Sequence, residues 1–511
     1  MLSRGDRMIK RSSGILMSIS SLPSPYGIGT LGKEAYEFVD FLALAGQSWW
    51  QMLPVGPTSY GDSPYQSFSS FAGNPYFVDL DTLKEDGLLT QDEIDAMDWG
   101  GDPGCVDYEK IYNSRFILLQ KATERGWERD EKQVAAFVEE NKGWLPDYAL
   151  FMAVKKHFGM QAWTQWPEED IRLRKAQAVE RYRVELEKDV RLFTYIQYHF
   201  FFQWNKLRDY AHKKGIGIIG DMPIYVAMDS ADVWAEPESF QLDEENKPVE
   251  VSGVPPDYFS EEGQLWGNPL YNWDAMKEDG YGWWIRRVGG AAKLYDILRI
   301  DHFRGFESYW AVPAEETTAK NGRWVKGPGM GLVGVLTGWF SNVQFIAEDL
   351  GFLTDEVKQL LQDSGLPGMK VLEFAFDSRE PSNYLPHTYN TNCVCYAGTH
   401  DNTTLAAWRH EADPDDVEMA IRYLGLNEEE GFVWGILRGG ISSVADLFVA
   451  QMQDYLELGA ESRMNTPGVL GGNWQWRMKK GQITEKLTRK IADMAWIYGR
   501  SEYAYGKREA E

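Results

Sequence analysis

The chain has 511 residues, of which 43% are hydrophobic, enough to bury a sizeable core. Its net charge of −25 argues against nucleic acid or an anionic membrane as partner, because both need a basic footprint. Three cysteines offer no disulfide framework, and no stretch approaches the ~20 apolar residues of a membrane span, so a reducing cytoplasm is the expected compartment.

Taken in chain order, short β-type runs recur at 14–20, 48–55, 215–226, 297–303, 343–350, 369–376, 393–399 and 446–452. After the first run the N-terminal apolar stretch stops at Ser20-Ser21, too short for a secretory signal. Between the first two runs, residues 33–45 place Ala35, Phe38, Val39, Leu42 and Ala45 on one helical face. Eight such runs with helical patterns between the later ones predict an α/β fold: a (β/α)8 TIM barrel whose outer helices cover a parallel sheet.

The spacing also shows where the barrel is decorated. A single catalytic barrel over 1–511 is expected, with a mostly helical insertion at about 56–190 and a loop-rich lid at 227–287, because neither stretch fits a βα loop of about 2–6 residues. Residues 191–213 align Leu192, Tyr195, Ile196, His199, Trp204 and Leu207 on a helix, which makes His199 a core residue rather than a ligand. Cys393 and Cys395 alternate with Val394 and Tyr396 in a strand pattern and have no second Cys/His pair at zinc spacing, so they too belong to the core. No cluster of hard oxygen ligands marks a calcium site. Neither metal nor cofactor is expected.

Three acids end three apolar runs: Asp301 in ILRIDHFRG, Glu348 in VQFIAEDLG and Asp401 in CVCYAGTHDN. A carboxylate there is costly to desolvate unless paired or used, and a barrel keeps its active site at the strands' carboxyl ends. Arg299 and Asp301, two residues apart, share a strand face, so the arginine is expected to keep Asp301 ionised as a nucleophile; the alternative is a plain buried ion pair. Glu348 follows Phe345, Ile346 and Ala347, an apolar setting that raises a carboxyl pKa and suits a general acid. Asp349 competes for that role, since only one of the two neighbours faces the lumen. His400 and Asp401 can contact sugar hydroxyls as the ring distorts. Asp221 in GDMPIYV serves the site or simply its own turn. Trp49, Trp50, Tyr60, Tyr65, Phe68, Phe71, Tyr258, Phe259, Trp266 and Tyr271 sit among Gly and Pro, where rings can stack on sugars.

The segments SSLPSPYGIGTLG, GDSPYQSFSSFAGNPYFVDL, GDMPIYV, LRIDHFRGF, FIAEDLG, GTHDN and RMNTPG, in this order, resemble the 4-α-glucanotransferase (amylomaltase, disproportionating enzyme) family of the α-amylase-like superfamily. The resemblance runs from about Ser12 to Trp476. It implies transfer of α-1,4-glucan segments from a maltooligosaccharide or starch-type donor to glucose or a glucan, by a retaining double displacement. Asp301 would be the nucleophile, Glu348 the acid/base and Asp401 the transition-state stabiliser. The resemblance further implies substrate contacts at Ser63, Tyr65, Asp221, Gln264, Trp266, Asn268, Arg299, His302, His400 and Asn465, and a second glucan site near Tyr60. It implies no trailing β-sandwich. GVLGGNWQWR, after RMNTPG, does not align residue for residue. An α-amylase-type hydrolase with the same carboxylates is the runner-up. A non-catalytic glucan-binding barrel would need those acids lost.

Overall fold

The computed structural model of the chain describes residues 9–256, 260–351, 353–469, 471–502 and 504–505. In chain order, β1 (Ser12–Leu16), β2 (Trp49–Gln51) and β3 (Gly217–Met222) begin a parallel sheet, and β4 (Glu250–Val254) and β5 (Gln264–Pro269) leave it as an antiparallel pair. β6 (Ile297–Ile300) returns to the first sheet, while β7 (Ser308–Pro313) and β8 (Arg323–Lys326) extend the second. β9 (Gln344–Ala347), β10 (Gly368–Val371), β11 (Cys393–Tyr396) and β12 (Leu447–Gln451) complete the first. Its order is β10-β11-β12-β1-β2-β3-β6-β9. The Ala347 N–H donates to the Pro367 carbonyl at 2.9 Å and the Met369 N–H to the Asp349 carboxylate at 2.6 Å, which brings β9 against β10 and closes the ring.

Each of the eight expected runs overlaps one barrel strand, with β1 and β10 starting two residues and one residue before their runs. Most of the observed strands are shorter at the carboxyl end, because the chain turns away there to build loops. The lumen is filled by one side-chain set from alternate positions, including Ile219, Ile297, Ile346, Met369, Val394 and Leu447. Period-two alternation therefore decides which strand-end residues share the lumen.

The helices Lys33–Leu44, Glu187–Lys213, Gly282–Leu294, Met330–Trp339, Asp355–Ser364 and Phe432–Ile441 pack outside. Ala35, Phe38, Val39 and Leu42 are buried on the first of these, as its periodicity requires. His199 is buried on the second, edge-on to Tyr195 at 4.5 Å, and burial lowers its pKa to about 4. Cys393 and Cys395 are buried on β11. Between β10 and β11 the described connection has only the one-turn 3₁₀ segments Leu372–Phe374 and Pro386–Thr388, a departure from the expected helix at every crossover.

The second sheet, ordered β5-β4-β7-β8, was not expected either. β7 and β8 are six and four residues long, and β7 pairs with β4 some sixty positions earlier, a partnership that local pattern does not encode.

Near the chain's end, buried Arg500 donates to the carbonyls of Ile441 (2.6 Å), Ser12 (2.8 Å), Ser443 (3.2 Å) and Asp446 (3.3 Å), tying the start of β1 to the start of β12. Arg500→Ala should destabilise the fold by about 3 kcal/mol, since it strands several carbonyls at once. Scanning calorimetry should give a lower Tm with kcat at 25 °C unchanged, because these contacts lie at the face opposite the strands' carboxyl ends. An unaltered Tm would show that the arginine is not a staple.

Candidate active site

Strand register places the first part of the site. Asp221 on β3 lies directly opposite Arg299 on β6, and Arg299 opposite Ile346 on β9. By alternation Ile297, Arg299 and Asp301 share the lumen face, as do Ile219 with Asp221 and Ile346 with Glu348. Arg299 Nη1 donates to both oxygens of Asp221 at 2.7 Å and to Asp301 Oδ1 at 3.0 Å. The Tyr65 hydroxyl donates to Asp221 Oδ2 at 2.8 Å. Asp221 is thereby spent. Its side chain is 1% exposed, against 27% for Asp301, so Asp301 faces the open cleft and Asp221 stands behind it.

That sharing corrects the expectation that Arg299 alone would keep the nucleophile candidate readily ionised. Burial is the dominant influence and pushes Asp301 up to about 8; Arg299 opposes it, while Asp221, Glu348 and Asp401 add to it. Glu348 is raised as well, chiefly by burial. The two carboxyls do not diverge by environment alone.

Glu348 is held by main-chain donors: Oε2 accepts from the His302 N–H at 2.6 Å and Oε1 from the Leu350 N–H at 2.9 Å. His302 aims that N–H by adopting left-handed backbone angles (φ 49°, ψ 47°), an uncommon conformation for a residue with a side chain. Its imidazole meets Trp266 edge-to-face at 4.8 Å, and burial lowers its pKa to about 3, so the ring is neutral. Asp349 points the other way and accepts from Met369 N–H; a side chain at Gly368 would meet the Asp349 carboxylate at 2.7 Å. Glu348, not Asp349, reaches the lumen.

Asp401 Oδ1 accepts from Asn465 Nδ2 at 2.6 Å and lies 3.4 Å from His400 Nε2. Arg463 donates to the Asp401 carbonyl at 2.6 Å and to the Asn465 carbonyl at 2.7 Å, which fixes the two loops together. The Asp401 side chain is 45% exposed. His400 stacks on Tyr65 at 5.1 Å and 19°, with Trp474 5.8–5.9 Å from both rings. Burial lowers the His400 pKa, so this cluster is an uncharged wall beside three carboxylates.

The other expected contacts divide. Trp266 donates its indole N–H to Gln264 Oε1 at 3.2 Å; both lie on β5, with Trp266 next to His302. Ser63 Oγ accepts from the Tyr65 N–H and shapes the turn that presents Tyr65. Asn268 is buried, donating to the Val226 carbonyl at 2.8 Å and sitting 3.4 Å from Ser252 Oγ; it anchors β5 rather than entering the cleft. The side chain of Tyr60, and Tyr258 and Phe259, lie outside the described residues. Sequence reading missed Arg463, although it stands inside RMNTPG, and Trp474, which lies in the unaligned segment with left-handed backbone (φ 64°). Among the described residues no group of three or more His, Cys, Asp and Glu is arranged to hold a metal ion.

The family described as 4-alpha-glucanotransferase matches residues 17–484. The chain belongs to the 4-alpha-glucanotransferase family. It is 50% identical to the 4-alpha-glucanotransferase of Clostridium butyricum over 488 residues, covering 95% of this chain and 100% of the relative. It is 51% identical over 495 residues to that of Streptococcus pneumoniae, covering 96% and 98%. Among solved structures, the amylomaltase from Streptococcus agalactiae in complex with acarbose superposes with a TM-score of 0.94 at 42% identity, covering 96% of this chain and 100% of that one. The amylomaltase from Corynebacterium glutamicum shares the fold, with a TM-score of 0.76 at 18% identity over 96% of this chain and 75% of that one.

For this glucanotransferase, Asp221→Asn should release Arg299 to Asp301 and remove a charge that raises the Asp301 pKa. An acid limb reports loss of the ionised carboxylate as pH falls, so a lower pKa moves it down, here by about one unit or more. The check is kcat/KM against pH for parent and variant. A limb that stays in place or moves up would contradict the shared-arginine arrangement.

Proposed function

We propose that Asp301 is the nucleophile, Glu348 the general acid and base, and Asp401 the group that stabilises the distorted ring. The chain, as a 4-alpha-glucanotransferase, transfers α-1,4-glucan segments to glucose or a glucan acceptor by a retaining double displacement. In the first step an Asp301 oxygen attacks the anomeric carbon while Glu348 protonates the departing glycosidic oxygen. In the second, Glu348 takes the proton of the acceptor's 4-hydroxyl as that oxygen displaces Asp301 and restores its carboxylate.

The observation that carries the reading is two carboxyls at the ends of adjacent strands: Asp301 3.0 Å from Arg299, Glu348 pinned by two main-chain N–H groups, and both raised by burial. With Glu348 protonated and Asp301 ionised, the two supply an acid and a nucleophile at once. Arg299 and Tyr65 brace the nucleophile side, and His400 and Asn465 fix Asp401. Gln264 and Trp266 form the acceptor-side wall. Residues 56–190 and 227–287 are read as insertions on one catalytic barrel, the second acting as a lid. Among the described residues no helix is long and apolar enough to cross a membrane, and the cytoplasm is the proposed compartment.

Trp266, against the His302 that supports Glu348, is placed to keep water from the glycosyl-enzyme. Maltotriose supplied to the parent should be redistributed into shorter and longer chains with almost no gain in reducing ends. Trp266→Ala should raise new reducing ends relative to transferred glucose. A large gain in the parent would move the activity to hydrolysis, and an unchanged ratio in the variant would show that Trp266 does not exclude water.

A further inference from the structure

Among the described residues, Trp324 is an exposed aromatic to which the cleavage chemistry assigns no task. Trp324 lies on β8, the edge strand of the second sheet, and is 45% exposed. Sheet edges ordinarily carry charge, and its neighbours obey: Arg323 pairs with Glu250 at 2.7 Å and Lys326 with Glu307. An open indole between them costs apolar exposure that a lysine would avoid.

The ring is held rather than loose. Its strand partner Trp310 meets it edge-to-face at 5.2 Å and 69°, and Trp310 is itself fixed by donating its indole N–H to the Ala319 carbonyl at 2.8 Å. The guanidinium of buried Arg304 lies 4.2 Å from the Trp324 ring centroid, so one face is occupied by a cation. The ring's exposed surface is therefore presented in a set orientation, with the cation drawn to its π-density from the covered side. This is how an aromatic is prepared to receive the C–H face of a sugar.

Position gives the ligand. Arg304 belongs to the turn Phe303–Phe306, directly after Asp301 and His302, and Glu348 acts electrostatically on it. A general acid stands on the side of the bond where the leaving sugar departs and the acceptor later enters. On that same reading, the Asp401, His400 and Trp474 cluster takes the donor-ring side. Trp324 thus continues the acceptor side outward from Glu348.

We propose that Trp324, backed by Arg304 and braced by Trp310, is a stacking platform for a glucose unit of an α-1,4-glucan lying beyond the first acceptor ring. The platform would favour oligosaccharide acceptors over glucose, which fills only the first position. The inference rests on Glu348 being the acid/base.

The test uses α-maltotriosyl fluoride as donor, because a fluoride leaving group places no sugar on the acceptor side. Initial transfer rates are measured with glucose and with maltotetraose as acceptors. Trp324→Ala should raise the maltotetraose KM about tenfold, equivalent to ~1.4 kcal/mol, and the glucose KM less than about twofold. Trp324→Phe, which keeps a ring, should recover most of the loss. Equal factors for both acceptors, no change for either, or a Phe variant as impaired as the Ala variant would overturn the platform. Glu348→Gln tests the underlying reading separately: first-turnover fluoride release retained from this donor while glycosyl transfer from maltotriose is lost supports the acid role, and loss of both would sink that role.

Discussion

One buried guanidinium organises the catalytic end of this barrel. Arg299 contacts Asp221 with both carboxylate oxygens at 2.7 Å and reaches Asp301 at 3.0 Å, so a single positive charge is divided between two negative ones. Leaving any member unpaired in that setting would be far more costly than the trio together. The consequence spreads along the rim. Asp221 holds Tyr65, Tyr65 stacks on His400, and His400 adjoins Asp401. β3 and the loops that follow β2, β6 and β11 are thereby tied through one charge.

The division of that charge also sets the chemistry. An arginine of its own would favour the ionised form of Asp301 more strongly. With Asp221 taking the closer contacts, burial outweighs Arg299, and Asp301 and Glu348 are both raised. Main-chain donors then fix Glu348 without adding charge. The left-handed turn at His302 is the local cost of aiming one of those donors, and it also brings an imidazole against Trp266 on β5. The support of Glu348 and β5 of the second sheet are in this way joined at one residue.

Much of this was legible in the sequence, for a physical reason. Apolar runs of strand length ended by an acid are rare unless the acid is used, so Asp301, Glu348 and Asp401 were visible, as was the eightfold recurrence that makes a barrel. Register was not visible. That Asp221 faces Arg299 depends on pairing β3 with β6, and that Glu348 rather than Asp349 enters the lumen depends on the phase of β9, which one residue of slip would invert. Trp474 escaped because its segment is irregular, and β7 and β8 because their partners are remote in sequence. Asn268 is buried and donates one amide hydrogen to the Val226 carbonyl, a partner on another segment that its motif does not reveal.

The central claim is that Asp301, at the exposed end of the shared arginine, forms the covalent bond to the sugar. A 5-fluoro α-glycosyl fluoride, whose glycosyl-enzyme turns over slowly, would trap that bond, and mass spectrometry of the proteolysed protein would locate it. The account predicts a single glycosyl adduct on the peptide containing Asp301, absent from the Asp301→Ala variant. An adduct on Glu348, Asp401 or Asp221 instead would contradict it.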